Sequence, residues 1–413
     1  MAPTPSTRAA EPCRPRLEVR RGPQLRAGER AQLERAGLWG LAPAESWSAT
    51  GSSRDNGYAT HGLFRFFGKF PPPLAAHLIA AHSRPGELVC DPMCGSGTTG
   101  VECLLAGRRC QLQDINPLSL LLSRVKTRRL GQRATRAALA RIERRYAPRP
   151  AGAAPVGLRR PEHWFTPAGL RSLAGLHAAI EAERPGAVRD LFRAALAASV
   201  RTVSRATTQQ GRLFLDAASA CDDAWPTFAR RARRAVEAVA ALPAATAPLR
   251  VAARDLRAPQ PAAAIGRAAL AIVHPPYFNA YRYSRINALE LAWLGIEPAA
   301  LRPAEVREFF KVGKPEKLEF YLEDMARALE QAARLLRPGG LLAVMIGDAV
   351  LRGAQLPVVR PLLQRLGPEL RLERLALRRP RHAEASWVAS QRRGAGRLGV
   401  ALCDYVLLLR RED

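Results

Sequence analysis

Two short stretches hold residues whose types and spacing can bind a nucleoside and steer an amino group. In the first, DPMCGSGTTG at 91–100, an apolar strand-like run (ELVCDP) leads through glycines and hydroxyls into a helical pattern. Gly95 and Gly97 let backbone pass close to a ligand, and Ser96, Thr98 and Thr99 are placed to cap the following helix. The run lacks the GK[ST] of a phosphate-cradling loop, and with Gly97 followed by Thr-Thr-Gly it lacks the spacing of a dinucleotide fingerprint. Roughly 20 residues beyond the turn, Asp114 ends a second short strand, where a carboxylate can take both hydroxyls of a ribose. A nucleoside ligand is the expectation. A plain strand-turn-helix corner would suit a lone Gly-x-Gly better than it suits Asp91, Pro92, two glycines, two threonines and Asp114 together.

The second stretch is VHPPYFNAYRY at 273–283, which also follows a strand-like run. Pro275 and Pro276 stop a strand, fix φ and leave carbonyls without ladder partners, so a rigid rim rich in acceptors results. An exocyclic amino group conjugated to a ring is a poor nucleophile. Acceptors set against its two hydrogens draw the nitrogen toward sp³ character and orient its lone pair. The plainer reading is a structural His-Pro-Pro-Tyr turn.

These residues need elements to hold them. Residues 1–50 mix Arg, Pro, Gly and Ala and read as a flexible basic arm, with a short helix possible at 27–38. Residues 51–129 read as a β-α-β unit, with helices at 72–83 and 98–106, a strand at 87–92 and a second strand in RRCQLQDINP. Residues 130–245 carry apolar positions at helical spacing in 135–146, 168–183, 187–204 and 224–242, which predicts an all-helical insertion. Residues 246–413 resume the alternation: strands at 249–255 and 268–277, a helix at 316–336 closed by RPGG, a strand at 341–348, a helix at 356–366, and strands near 369–377 and 400–410. The expected fold is α/β, a doubly wound Rossmann-like sheet interrupted by the helical insertion, with both candidate stretches at its carboxyl edge.

DPMCGSGTT resembles the S-adenosylmethionine motif of methyltransferases acting on exocyclic amino groups of nucleobases, usually written DPFxGSGTT. The resemblance implies a methyltransferase sheet with S-adenosylmethionine as cofactor, Asp91 and the backbone of Cys94 to Gly97 along its methionine moiety, and Asp114 on its ribose. Pro92, Met93, Ser96, Thr98, Thr99 and Ile115 go with the same site, and Asp255 and Leu256 fall where the family contacts adenine. Upstream, YATHGLFRFFGKFPPPLAAHLI at 58–79 resembles the stretch that closes over the methionine end. Phe66, Phe67 and Phe70 would offer a π surface to a sulfonium, and Lys69 would reach the carboxylate. The plainer alternative is a hydrophobic staple, with Pro71 to Pro73 as helix starters.

HPPY resembles the family's [DNS]PP[YFW] tetrad, which assigns amino-group acceptance to His274 and the Pro275 carbonyl and base stacking to Tyr277, with Pro276 completing the rim. Position 274 departs from the pattern. A neutral imidazole nitrogen accepts one hydrogen bond, and an unperturbed pKa of about 6.5 leaves it mostly neutral at pH 7. NAYRYSRINALELAWLGI at 279–296 resembles the segment after the tetrad in site-specific DNA methyltransferases, so Arg282, Tyr283 and Arg285 are nucleic-acid candidates. Trp293 and Leu294 read better as packing residues. RPGGLLAVMIGDAVLRGAQLP at 337–357 resembles a later strand and loop of the family, with Gly347 and Asp348 facing the target pocket. In all, the resemblance covers about 58–128 and 270–410. It implies methylation of N4 of cytosine, slightly favoured, or N6 of adenine in DNA. Base amino-methylation of tRNA or rRNA, or a catalytically silent nucleic-acid-binding relative, are the alternatives.

Composition agrees with a polyanion partner. The 413 residues carry 64 basic and 36 acidic side chains, a net charge of +28. Only five of the basic residues are lysine, a skew that GC-rich codon usage also produces, so charge alone does not decide. Seven cysteines without a secretory signal argue for reduced thiols and a cytoplasmic location. No apolar run is long enough to suggest a membrane span. A cytosine-C5 mechanism would need a Pro-Cys nucleophile near the sheet, but Pro12-Cys13 lies in the arm. Neither CxxC pairs nor HExxH occur, so no metal site is expected. The Arg-rich stretch 378–398 reads equally as a loop over a groove or as a solvated basic loop. Oligomeric state is not readable.

Overall fold

The computed structural model describes residues 17–49, 55–150, 152, 154–209, 212–219, 221–278, 282–306, 317–351, 354–379 and 403–412. Strands in chain order are β1 (Leu17–Arg21), β2 (Ala44–Ala49), β3 (Leu88–Asp91), β4 (Arg109–Asp114), β5 (Ala206–Gln209), β6 (Arg212–Leu215), β7 (Leu249–Ala253), β8 (Ala268–Val273), β9 (Leu336–Ile346), β10 (Ala349–Leu351), β11 (Ala354–Leu356), β12 (Leu370–Arg378) and β13 (Asp404–Arg411). Nine of them form one sheet in the order β1-β2-β12-β13-β9-β8-β3-β4-β7.

The run β7-β4-β3-β8-β9 is parallel throughout, as strands joined by helical crossovers must be. β8 reads AALAIV and is buried at every position, the pattern of a strand covered on both faces. One face packs on helices Pro72–His82 and Thr98–Leu105, the other on helices Leu318–Leu335 and Val359–Leu363. The order turns back between β3 and β8. Such a switch point opens a crevice at the carboxyl ends of the strands. β13 runs antiparallel between β9 and β12 and closes the sheet's second half. The doubly wound α/β expectation therefore holds.

Residues expected as a flexible arm differ. The part of them within 17–49 forms β1, helix Ala27–Arg35 and β2, and β2 pairs parallel with β12. LEVRR and AESWSA are too polar to announce themselves as strands, but buried bonds compensate: Trp47 Nε1 donates to Glu45 at 2.8 Å and the Ser46 hydroxyl to Glu29 at 2.8 Å. RPGG at 337–340 also differs, because it continues β9 across a register shift where a break was expected.

The block 130–245 contains helices Gln132–Arg145, Pro161–Trp164, Pro167–Glu181, Ala187–Val203 and Trp225–Ala240, but also the antiparallel hairpin β5–β6, so it is not all helical. Alternation over ATTQ and RLFL is too short to compete with helical periodicity around it. These helices share one core with helix Pro117–Lys126 and with Leu289, Leu291 and Trp293. Trp293 is fully buried against the Phe165 ring, at 5.9 Å between centroids, as its packing reading required. Trp293→Ala is expected to lower unfolding free energy by about 3–5 kcal/mol, read by denaturant titration.

Candidate active site

β3 ends at Asp91 and β8 at Val273, and the two strands pair directly through Val89↔Leu270 and Cys90↔Ala271. The glycine turn and the proline rim are thus neighbours. A single pocket is lined by Lys69, Phe70, Asp91, Pro92, Met93, Cys94, Gly95, Ser96, Asp114, Ile115, Asp255, Leu256, His274, Pro276 and Tyr283, together with residues from 301–306. The Phe70 and His274 rings meet edge to face at 5.5 Å, so the upstream aromatic segment touches the rim.

The turn is held from beneath. Gly97 has φ +76° and precedes helix Thr98–Leu105, and a Cβ there would stand 2.8 Å from the Ser123 Cα. Gly95, at φ +48°, faces the Phe66 ring. The hydroxyls do not cap as expected: no side chain caps this helix, and Thr99 Oγ1 instead donates to Asp91 Oδ2 at 2.5 Å. Asp91 Oδ1 also accepts from the Met93 N–H at 3.2 Å. Burial nonetheless pushes the Asp91 carboxyl up to about 7.

Asp114 accepts from the Gly95 N–H and the Asn116 N–H, each at 2.8 Å, so the carboxylate at the tip of β4 also braces the turn. Burial raises it to about 6 against these bonds. Ser96 Oγ and Thr98 Oγ1 are buried with no partner among the described residues. The orphaned Ser96 hydroxyl, the bare backbone at Gly95, and the carboxylates of Asp91 and Asp114, all in the pocket lining, fit the amino acid and ribose of S-adenosylmethionine. Thr98, Thr99 and Gly97 lie behind the lining.

Lys69 lines the pocket while its ammonium donates to the His61 carbonyl at 3.3 Å, and burial lowers its pKa to about 8. Behind it, His61 Nε2 and the Tyr58 hydroxyl both lie 2.6 Å from Glu102 Oε1. Lys126, fully buried, donates to the Ser96 carbonyl at 2.6 Å, and burial drives its pKa well down. Sequence patterns missed Glu102, Lys126 and the 301–306 segment, because none belongs to a motif. Glu305, for example, is bound by the Ser284 N–H and hydroxyl at 2.7 Å, a contact made by the fold alone.

At the rim, Tyr321 donates to the Pro276 carbonyl at 2.8 Å. Pro275 is buried and does not line the pocket, nor does Tyr277, whose ring lies edge-on to His274 at 5.5 Å. A Cβ on Gly347 would stand 3.0 Å from that Tyr277 ring. Asp348 does not face the pocket as expected: its carboxylate receives the Val358 and Val359 N–H groups and the Tyr405 hydroxyl. Tyr283 stacks on Phe66 at 5.5 Å and donates to the Phe67 carbonyl, so one ring face is already covered. Arg282 is half-buried and Arg285 exposed. Asp255 is gripped by Arg257, which also reaches Asp324. Asn279, Ala280 and all but the first two residues of the Arg-rich stretch 378–398 lie outside the described residues.

Burial pushes the Cys90, Cys94 and Cys110 thiols up, so none offers a thiolate. No His, Cys, Asp or Glu cluster able to hold a metal occurs among the described residues. No described helix is long and apolar enough to cross a membrane.

A parallel sheet with its switch point between β3 and β8, an antiparallel β13 beside β9, and a glycine turn braced by Asp114 define a doubly wound α/β protein with a crevice at its switch point. In comparison with known proteins, residues 21–120 match the model of the N6/N4 methyltransferase family, described as DNA methylase. Type II methyltransferase M.MjaII of Methanocaldococcus jannaschii is 35% identical over 75 residues, which are 18% of this chain and 14% of that protein. The match thus spans about a seventh of the relative's length. Among solved structures, the rRNA methyltransferase AviRa of Streptomyces viridochromogenes aligns over 83% of this chain and 85% of its own at 14% identity and a TM-score of 0.30. A geranyl diphosphate methyltransferase in complex with S-adenosylmethionine aligns over 88% and 93% at 9% identity and a TM-score of 0.33. At such scores these likenesses add nothing to the topology.

Proposed function

We propose that this chain transfers the methyl group of S-adenosylmethionine to an exocyclic amino nitrogen of a DNA base, N4 of cytosine or N6 of adenine, at defined sites. The observation that carries the reading is the sharing of one pocket by the turn after β3 and the rim after β8, with Phe70 touching His274. The sulfonium donor supplies an electrophilic methyl that needs no covalent enzyme intermediate.

The protein's part is to bind, orient and exclude water. Asp114 takes the ribose, Asp91 faces the cationic amino acid end, and Lys69 holds the carboxylate. His274 and Pro276 line the pocket and are the acceptors offered to the target amino group, the Pro276 carbonyl being held in place by the Tyr321 hydroxyl, while Pro275 stiffens the rim from behind the lining. Held between Phe70 and Tyr277, the imidazole has little rotational freedom, a favourable condition for a positioned acceptor. A base cannot reach this pocket while stacked, so it must be rotated out of the duplex. The family description of residues 21–120 and the basic charge support DNA as the polymer.

Purified protein given tritium-labelled S-adenosylmethionine with genomic DNA, tRNA and rRNA is expected to label DNA. Label in RNA alone, or cofactor binding without label, overturns the reading. His274→Ala is expected to lower kcat about 100-fold while cofactor affinity changes less than about twofold. His274→Ser, which restores a small acceptor, should recover part of the rate. Wild-type activity in His274→Ala would remove the role given to this side chain.

A further inference from the structure

Helix Trp225–Ala240 carries Arg230, Arg231, Arg233 and Arg234 within five positions, outside both the family match and the pocket. Its apolar residues Phe228, Ala232, Val236 and Val239 join the helical core, so Arg230, Arg233 and Arg234 share the opposite, exposed face. Glu237 is the helix's one carboxylate and pairs with none of them. Among the described residues these three guanidinium groups have neither an ion pair nor a side-chain hydrogen bond. Arg231, half-buried beside them, donates to the Thr202 hydroxyl at 2.9 Å, and burial together with the charges of Arg230 and Arg234 lowers its pKa. Elsewhere in the block 130–245 arginines are neutralised, Arg141 and Arg145 by Glu183 and Arg201 by Glu290. Like charges three and four residues apart destabilise a helix, and an external polyanion would relieve that repulsion.

The basic face lies beside the segment that leads into the pocket. Its helix contacts the turn His61–Leu63, and a Cβ on Gly62 would stand 2.5 Å from Arg234 Nη2, so that guanidinium rests on the turn. The adjacent His61 carbonyl receives the Lys69 ammonium, and Lys69 lines the pocket. Arg234, Gly62, His61 and Lys69 thus form a continuous path from the ridge to the site.

We infer that Arg230, Arg233 and Arg234 form a phosphate-binding ridge that holds the backbone of duplex DNA beside the pocket while a base is presented to it. Guanidinium forks match phosphate oxygens, and such contacts position a duplex without reading its sequence. The committed partner is duplex DNA, so the inference rests on the reading given under Proposed function.

The test uses the full chain as wild type, as the combined variant Arg230→Gln, Arg233→Gln, Arg234→Gln, and as the same three positions changed to Lys. A control combines Arg35→Gln, Arg267→Gln and Arg327→Gln, which removes three exposed arginines from other elements. Binding to a labelled mixed-sequence duplex is followed by fluorescence anisotropy over roughly 50 to 200 mM salt. Cofactor affinity is measured by calorimetry, and methyl transfer to genomic DNA, tRNA and rRNA by tritium. Three lost phosphate contacts should flatten the slope of log affinity against log salt by about 2.7 in the Gln variant. Its kcat/KM for genomic DNA should fall at least about tenfold, with cofactor affinity within about twofold of wild type. The Lys variant, which keeps the charge, should retain the slope, and the control should leave it unchanged. A wild-type slope in the Gln variant, or equal flattening in the control, overturns the ridge and leaves the methyltransferase reading standing. Loss of cofactor affinity in the Gln variant and the Lys variant alike also overturns it, since the arginines would then serve the fold. Label in RNA and none in DNA overturns both the ridge and the DNA reading.

Discussion

Gly97→Ala is expected to unfold more of the site than any other single methyl addition. Its φ of +76° lies where an L side chain costs about 1–2 kcal/mol. The new Cβ would also stand 2.7 Å from Ser123 Oγ and 2.8 Å from Ser123 Cα, and the latter is backbone that cannot swing aside. Overpacking of that kind costs about 1–3 kcal/mol more. The expected sum is about 2–5 kcal/mol of stability, together with at least a tenfold loss of cofactor affinity as the turn lifts from helix Pro117–Lys126. Gly95→Ala supplies the control: its nearest neighbour is the Phe66 ring at 3.4 Å, which can yield, so only the backbone cost is expected. Denaturant titration and calorimetry on both variants check the order, and an equal or reversed ranking would show that the turn is not clamped at Ser123.

The second large effect is a bell-shaped dependence of S-adenosylmethionine affinity on pH. Burial raises Asp91 to about 7, so the unliganded carboxyl becomes an anion, ready for a cationic ligand group, only as pH passes that value. Affinity should therefore climb by up to tenfold per pH unit below about 7. Lys69 works in the opposite sense. With its pKa lowered to about 8, it loses its charge as pH rises through that value, and if it holds the ligand carboxylate as proposed, affinity should fall above it. The optimum is expected between the two, measured by calorimetry from pH 5.5 to 9.5. Lys69→Met should flatten the alkaline limb and leave the acidic one. Retention of the alkaline limb in Lys69→Met would assign it to another group.

Most of the sheet can be read directly from its apolar runs. β3 and β8 are short, uninterrupted and bounded by turn residues, and their register follows from burial on both faces. β1 and β2 could not be read this way, because Glu45 and Ser46 become acceptable inside a sheet only once Glu29, Trp47 and Arg374 bond to them. At the site, residues inside motifs were legible because their spacing is a constraint of the turn itself. Lys126 and Glu305 were not, since each reaches its place through separate elements packing together. Thr99 shows the limit within a motif: its presence was readable, but its bond to Asp91 in place of a cap depends on how the turn tilts.

Gln32 bonds both the N–H and the carbonyl of Cys403, a residue 371 positions later, and β2 finds its parallel partner only in β12. During synthesis at 5–20 residues per second, that early segment waits roughly 20–75 s for its counterpart to leave the ribosome. The flank holding β1 and β2 is therefore the last to assemble, whereas the cofactor turn and its clamp at Ser123 lie within about thirty residues of each other and can form while the chain is still growing.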